Sequence, residues 1–239
     1  MRIVFKALIA LVAVASAAPA FAQEMIVTGQ RRAADNYGGY SGGVVAASRP
    51  IVVLKRTADY VVQTVHVTGD TREAEKRMAD LNATLRNAIG QADKSGVELA
   101  IGDYVVIPLT LTNYQALNYV SDGRPDTSQT TILVKVKLVP GMTMNAATAQ
   151  IAKFVAAVSA VGRSSLTVTG DPTLSVVNPD QYRGQIIDLI AADAAVSAGK
   201  FGPGYGVAVS GLDRPVEWAR GGLLEVFLYL PAAYTVKRD

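Results

Sequence analysis

Cysteine is absent from the 239-residue chain, and His66 is its only histidine. The protein therefore forms no disulfide and carries no thiol for acylation at a cleavage site. It also lacks the several nitrogen or sulfur ligands of the common transition-metal sites. Charge is sparse too, at 18% of residues, and removal of Arg2 and Lys6 with the N-terminal segment leaves 21 basic against 20 acidic side chains. A near-neutral chain with the two signs interspersed has no electrostatic footprint for nucleic acid or for an anionic membrane surface. Beyond residue 22 no apolar run is long enough to cross a ~30 Å hydrocarbon core, so no integral membrane segment is expected in the mature chain.

The N-terminus carries an export pattern. Arg2 and Lys6 supply a short positive region, Ile3 to Ala18 an apolar stretch, and Ala20-Phe21-Ala22 the small-x-small pattern of a signal peptidase site. Residues 1–22 thus read as a cleavable leader to the periplasm. The competing reading, a membrane anchor, requires a longer run and meets Pro19 where its helix should continue.

Residues 23–50 read as a flexible, Gly-rich linker, because Asn36-Tyr-Gly-Gly-Tyr-Ser-Gly-Gly43 and the polar Gly29-Gln-Arg-Arg32 offer little burial against their ordering entropy. Within it, Glu24-Met-Ile-Val-Thr-Gly-Gln-Arg-Arg32 resembles the segment that follows the signal in many TonB-dependent outer-membrane receptors. The mature chain is far too short for the plug and large barrel of such a receptor, and it shows no train of ~10-residue barrel strands.

Residues 51–239 read as one α+β domain. Tyr60 to Thr68 alternates as a strand, with Val61, Val65 and Val67 on the buried face and Tyr60, Thr64, His66 and Thr68 on a solvated one. Asp70 and Glu73 form a capping-box-like start for a helix over 71–92, whose stripe is Met78, Leu81, Leu85, Ala88, Ile89 and Ala92. Two strands follow, 103–111 with Val105, Ile107, Leu109 and Leu111 inward, and 130–139 with Ile132, Val134, Val136 and Leu138 inward and Lys135 and Lys137 outward. Their polar connection, with Ser121-Asp-Gly-Arg-Pro125, predicts a hairpin-like excursion. A second helix spans 145–161, with Ile151, Phe154, Val155 and Val158 as its stripe, and a short strand spans 166–169. Asn178-Pro179-Asp180 starts a third helix to about Ala198, with Tyr182, Ile186, Ile187, Leu189, Ile190, Ala194 and Val196 apolar. Closing strands fall at 206–210 and 223–230. This order predicts mainly antiparallel pairing beneath amphipathic helices.

The chain resembles the SIMPL-domain family of mostly periplasmic bacterial proteins. The likeness lies in Ala58-Asp-Tyr-Val-Val-Gln-Thr-Val65, the Ala-rich helix from Glu73 to Ile89, and Gly96-Val-Glu-Leu-Ala-Ile-Gly-Asp-Tyr-Val-Val-Ile-Pro108. It continues in Tyr182-Arg183, Asp193-Ala-Ala195 and Leu224-Glu-Val-Phe-Leu-Tyr-Leu230, and so spans about 51–234. The third helix departs from the family pattern, carrying Gly184-Gln-Ile-Ile-Asp-Leu-Ile190 where Ala and Arg are usual. The resemblance implies a SIMPL-like α+β fold and a setting in envelope maintenance or stress protection, without a molecular activity.

No catalytic, cofactor or metal-ligating residue stands out. His66 has no carboxylate or second ligand near it in sequence, and no Gly-x-Ser-x-Gly elbow marks a nucleophile for a Ser-His-Asp centre. Gly202-Pro-Gly-Tyr-Gly206 lacks the Gly-Lys-Ser/Thr ending of a phosphate loop and follows a helix instead of preceding one. Asp180, Asp188 and Asp193 are irregularly spaced, and Asp188 and Asp193 are expected to face water or pair with Arg183 and Lys200. Arg183 at a helix start opposes the helix dipole and needs a local partner. The first functional reading is a non-enzymatic envelope protein that self-associates through strand edges, the terminal strand carrying little gatekeeping charge. A further envelope protein is a second possible partner. The alternative reading is a small-molecule binding module, with a pocket between sheet and helices lined by Tyr104, Tyr114, Tyr182 or Trp218.

Overall fold

The computed structural model describes residues 23–27, 52–103 and 105–238. The expected leader, most of the expected linker (28–50) and Tyr104 lie outside the described residues. The chain forms β1 (Glu24–Val27), β2 (Leu54–Thr57), β3 (Tyr60–Gly69), α1 (Ala74–Ser95), β4 (Glu98–Ile101), β5 (Val105–Pro108), β6 (Ser128–Lys137) and α2 (Met144–Ala157). It continues with β7 (Ser164–Val177), α3 (Arg183–Gly199), β8 (Tyr205–Ser210), β9 (Glu217–Arg220), β10 (Glu225–Tyr229) and β11 (Ala233–Arg238). The class is α+β with antiparallel pairing throughout.

Six strands close into a barrel in the order β1-β5-β4-β6-β3-β7; β2-β10-β9 and β11-β8 form two smaller sheets. The outer face of β3, β6 and β7 carries Val61, Val65, Val67, Ile132, Val134, Val136, Leu174 and Val176, all buried. Against it lie Leu81, Leu85 and Ala88 of α1 and Ala147, Ile151 and Phe154 of α2, the apolar stripes expected from their spacing. Six strands leave no room for a helix inside, so the opposite face of each strand is the barrel's lumen. There Ile26, Val62, Ala100, Val106 and Leu133 form a second, separate core.

That lumen overturns several expectations. Residues 24–27 are barrel wall and not tether: β1 pairs with β7 on one side and β5 on the other. The face of β3 expected to be solvated includes buried Val62. In β5 the facing is reversed, with Val106 buried and Val105 and Ile107 about half exposed, because β5 turns its other side to the lumen. β5 is no hairpin partner of β6, since the unforeseen β4 lies between them. β7 runs 14 residues because Gly170-Asp-Pro172 is a bulge, not an end. Opposite Gln63 the register shifts, and Gln63 Nε2 donates to Gly170 O at 3.1 Å. Gly170 takes φ +67° there, a left-handed conformation suited to glycine.

The helix ends also differ from expectation. Glu73 is the N-cap of α1 without a side-chain cap bond, and Asp70 is drawn away to Arg163, whose Nε and Nη2 donate to it at 2.7 and 2.9 Å. This pairing ties the start of α1 to the start of β7 and holds the Asp70 carboxyl below its usual range. Asn178, at φ +45°, is the N-cap with Pro179 following it, as expected, but its side chain makes no cap bond, and what it starts is a 3-10 turn at Pro179–Tyr182 that precedes α3. Only Ile186, Ile190 and Ala194 of α3 are buried, while Leu189 and Val196 face outward. The strand expected to be terminal, β10, is central in its sheet, between β2 and β9.

Phe154 is fully buried at the junction of α2 with the barrel. Phe154→Ala is expected to lower unfolding free energy by about 3–5 kcal/mol in urea titration, whereas Leu223→Ala, at a side chain 72% exposed, should change it by less than about 0.5 kcal/mol.

Candidate functional site

An ion-pair cluster occupies one end of the barrel lumen. Lys135 on β6 stands directly opposite Glu98 on β4 and Val62 on β3. Glu24 projects from β1 on the far side of the ring. The Lys135 ammonium donates to Glu24 Oε2 in a short contact and to Glu98 Oε2 at 3.3 Å, and it lies 4.1 Å from the centre of the Tyr60 ring. Ser175 donates to the other Glu24 oxygen at 2.6 Å, and Tyr60 donates to Glu98 at 2.9 Å. Lys135, Glu24 and Ser175 are buried, whereas the Glu98 side chain is 53% exposed. Burial is the main force that drives the Tyr60 phenol far above its usual range; Glu98, Glu24 and Asp59 add to it by disfavouring a further negative charge.

Two clefts open at this barrel. One, of about 460 Å³, lies between the end of α1 (Ile89, Ala92, Asp93), the entry to β4 (Val97, Glu98, Leu99) and the end of β5 with the turn after it (Pro108 to Thr112), and Lys135 also lines it. The other, of about 450 Å³, is the opposite mouth, lined by Ile26, Thr64, Gly102, Asp103, Thr131, Leu133 and Thr173. Leu133, Val62 and Ile26 separate the mouth from the charged end. The aromatic pocket expected from sequence is not formed as drawn: Tyr114 and Trp218 are core side chains, and Tyr182 lies beneath the Arg56 guanidinium, 4.3 Å from its ring centre.

His66 sits on the lumen face of β3, with Thr131 and Thr167 as its cross-strand neighbours. Among the described residues no group of three or more His, Asp or Glu side chains is placed to hold a metal ion. Arg183 finds its partners in backbone, donating to the carbonyls of Leu212 and Arg214 and fixing the turn after β8. Asp180 accepts from the amide of Val216 at 3.2 Å. The expected pairing of Asp188 and Asp193 with Arg183 and Lys200 is not found among the described ion pairs. Asp193 instead approaches Tyr234, whose phenol is pushed up first by burial and then by that carboxylate.

Chemically, the charged end is a neutralised cluster. The ammonium is held by two carboxylates, and the Ser175 hydroxyl is fully buried and committed to Glu24. The sequence pattern placed Lys135 outward because strict alternation opposite Val134 and Val136 cannot tell a solvated face from a lumen. The usable signal was Val62 and Leu133, apolar residues on the faces assigned to water.

A second feature lies on α3. Its outer face carries Gln185, Asp188, Leu189, Ala192, Ala195, Val196 and Gly199, all exposed, with one charge among them. Phe201 and Tyr205 continue it, 57% and 40% exposed with ring centres 6.2 Å apart. β8 begins at Tyr205, pairs only with β11, and has no charged residue in its six. No helix among the described residues is long and apolar enough to cross a membrane.

Removing one partner of the buried pair leaves the other charge desolvated. Glu24→Gln is expected to destabilise the fold by about 3 kcal/mol in urea unfolding, while Glu24→Met with Lys135→Met recovers most of that loss. A double variant as unstable as the single one would show that charge pairing is not what Glu24 contributes. Comparison of the chain with protein-family models, curated proteins and solved structures finds no match in any of the three.

Proposed function

We propose that the protein is a non-enzymatic, SIMPL-like periplasmic protein of the bacterial envelope, acting in envelope maintenance or stress protection through self-association. The leader-like N-terminus supports the compartment, and the family resemblance over 51–234 supports the setting. The observation that carries the self-association is the outer face of α3, apolar along its length although its inner face already meets the core. Helices with two apolar faces have two partners to satisfy.

The occupant is a second copy. When two α3 helices pack antiparallel about a two-fold axis near residue 194, Ala192 of one copy meets Val196 of the other, small against large. Asp188, about 18 Å along the helix from Lys200, then comes level with Lys200 of the second copy. Neither has an ion-pair partner among the described residues of its own chain. A two-fold contact is self-complementary in this way, and the uncharged β8 edge beside it offers backbone donors and acceptors for pairing. The barrel offers none, since β1 closes it.

The mature chain, Gln23–Asp239, is expected to elute as a defined multimer in size-exclusion chromatography with light scattering. Val196→Lys should give a monomer with unchanged far-UV circular dichroism. Asp188→Lys should weaken the assembly and Lys200→Asp on the same chain should restore it. A monomer at every concentration up to the solubility limit would overturn the reading.

A further inference from the structure

We propose that the cleft over Lys135 is a binding site for an amphiphilic amine, its apolar tail between α1 and the turn after β5 and its ammonium at Glu98 and Asp93. This site is independent of the α3 surface.

The cleft, of about 460 Å³, is within the size range of small-molecule sites. Its walls are apolar: Ile89 and Ala92 from α1, Val97 just before β4 and Leu99 within it, Leu109 and Leu111 from the turn after β5. Leu111 is 60% exposed at the rim, a large apolar side chain in water beside a concave apolar surface. Ala92, Val97, Leu99 and Leu109 are already buried, so the surface an apolar tail removes from solvent, at about 25 cal/mol per Å², is chiefly that of Leu111 and the half-buried Ile89.

The head group is decided by charge. The only cation lining the cleft, Lys135, is held by Glu24 and Glu98 together, so its charge is cancelled before a ligand arrives. Glu98 and Asp93, both exposed, complete the lining with negative charge. With Glu24 behind Lys135, the site carries three carboxylates against one ammonium, two of them in contact with it. Lys94 follows Asp93 and Lys137 follows Lys135 by two on the same strand face, but neither lines the cleft. An anionic head would therefore meet net repulsion, and a cationic one a carboxylate already oriented by the Tyr60 hydroxyl.

Three probes with one tail separate head from chain: n-octylammonium, n-octanol and n-octanoate, each titrated by calorimetry into the mature protein. Octylammonium should bind most tightly and octanoate least. Glu98→Gln should weaken octylammonium on the order of tenfold, leave octanol unchanged and improve octanoate. Asp93→Asn, which touches no barrel bond, should weaken octylammonium alone and guards against a folding defect in the first variant. Leu111→Ser should weaken all three probes together. Octanoate binding as tightly as octylammonium, no measurable binding of any probe, or octylammonium binding indifferent to both carboxylate variants would each overturn the proposal.

Discussion

Lys135 and Glu24 come from strands three places apart, in either direction, around a ring of six, so their contact spans the lumen. A lysine that far from water is tolerable only if its counter-charge comes with it. The counter-charge is borne by β1, the strand that fills the gap between β5 and β7. Closing the barrel thus brings Lys135 its buried counter-charge, beside the exposed Glu98 of the neighbouring β4. The pairing also sets register: a slip of β1 by one residue would turn Glu24 outward and put Met25 in the lumen. Ser175 on β7 adds a second check, since its hydroxyl meets Glu24 only in the observed alignment.

The same closure divides the apolar residues unequally. The outer face of β3, β6 and β7 takes α1, α2 and most of the large side chains, while the lumen holds five buried apolar residues and the charged end. β3, β6 and β7 have 10, 10 and 14 residues, whereas β1, β4 and β5 have four each. The barrel is consequently complete at the Lys135 end and opens at the other, where the long strands run on past the short ones. Strand length sets where the barrel opens, and the residues at each end make one opening a threonine-lined mouth and the other a cleft with Asp93 and Glu98.

How far the sequence disclosed this depended on periodicity. α1, α2, β3 and β6 were legible because their apolar spacing was long and regular, and Leu81, Leu85, Ile151 and Phe154 are buried as that spacing required. Four-residue strands such as β1, β2, β4 and β9 are too short for alternation to distinguish them from loop, and their pairing is decided by partners far along the chain. β7 was cut short because Gly170-Asp-Pro172 carries the composition of a turn, which a bulge shares. The charged end was hidden for a different reason. Glu24 and Lys135 are separated by 111 residues, and Glu24 stood next to a Gly-rich stretch that masked its strand.

A protein that seals its larger sheet into a barrel has given up that sheet's edges as places to meet other chains. The two smaller sheets, β2-β10-β9 and β11-β8, keep open edges, and beside the free edge of β8 the helix α3 shows an apolar face outward. The helix and the β8-β11 sheet are tied to each other. Arg183 pins the turn after β8 through carbonyls, and Tyr234 on β11 donates to the Ile190 carbonyl of α3 at 3.1 Å, so helix and edge strand are positioned as a unit. Their relative placement is therefore held by the Arg183 and Tyr234 side chains bonding to backbone carbonyls, and not by the exposed side chains Leu189, Val196, Phe201 and Tyr205. Residues that carry no fold-bearing contact yet present apolar surface in a rigid frame are what a docking face requires, since the ordering cost of that face is met before a partner arrives.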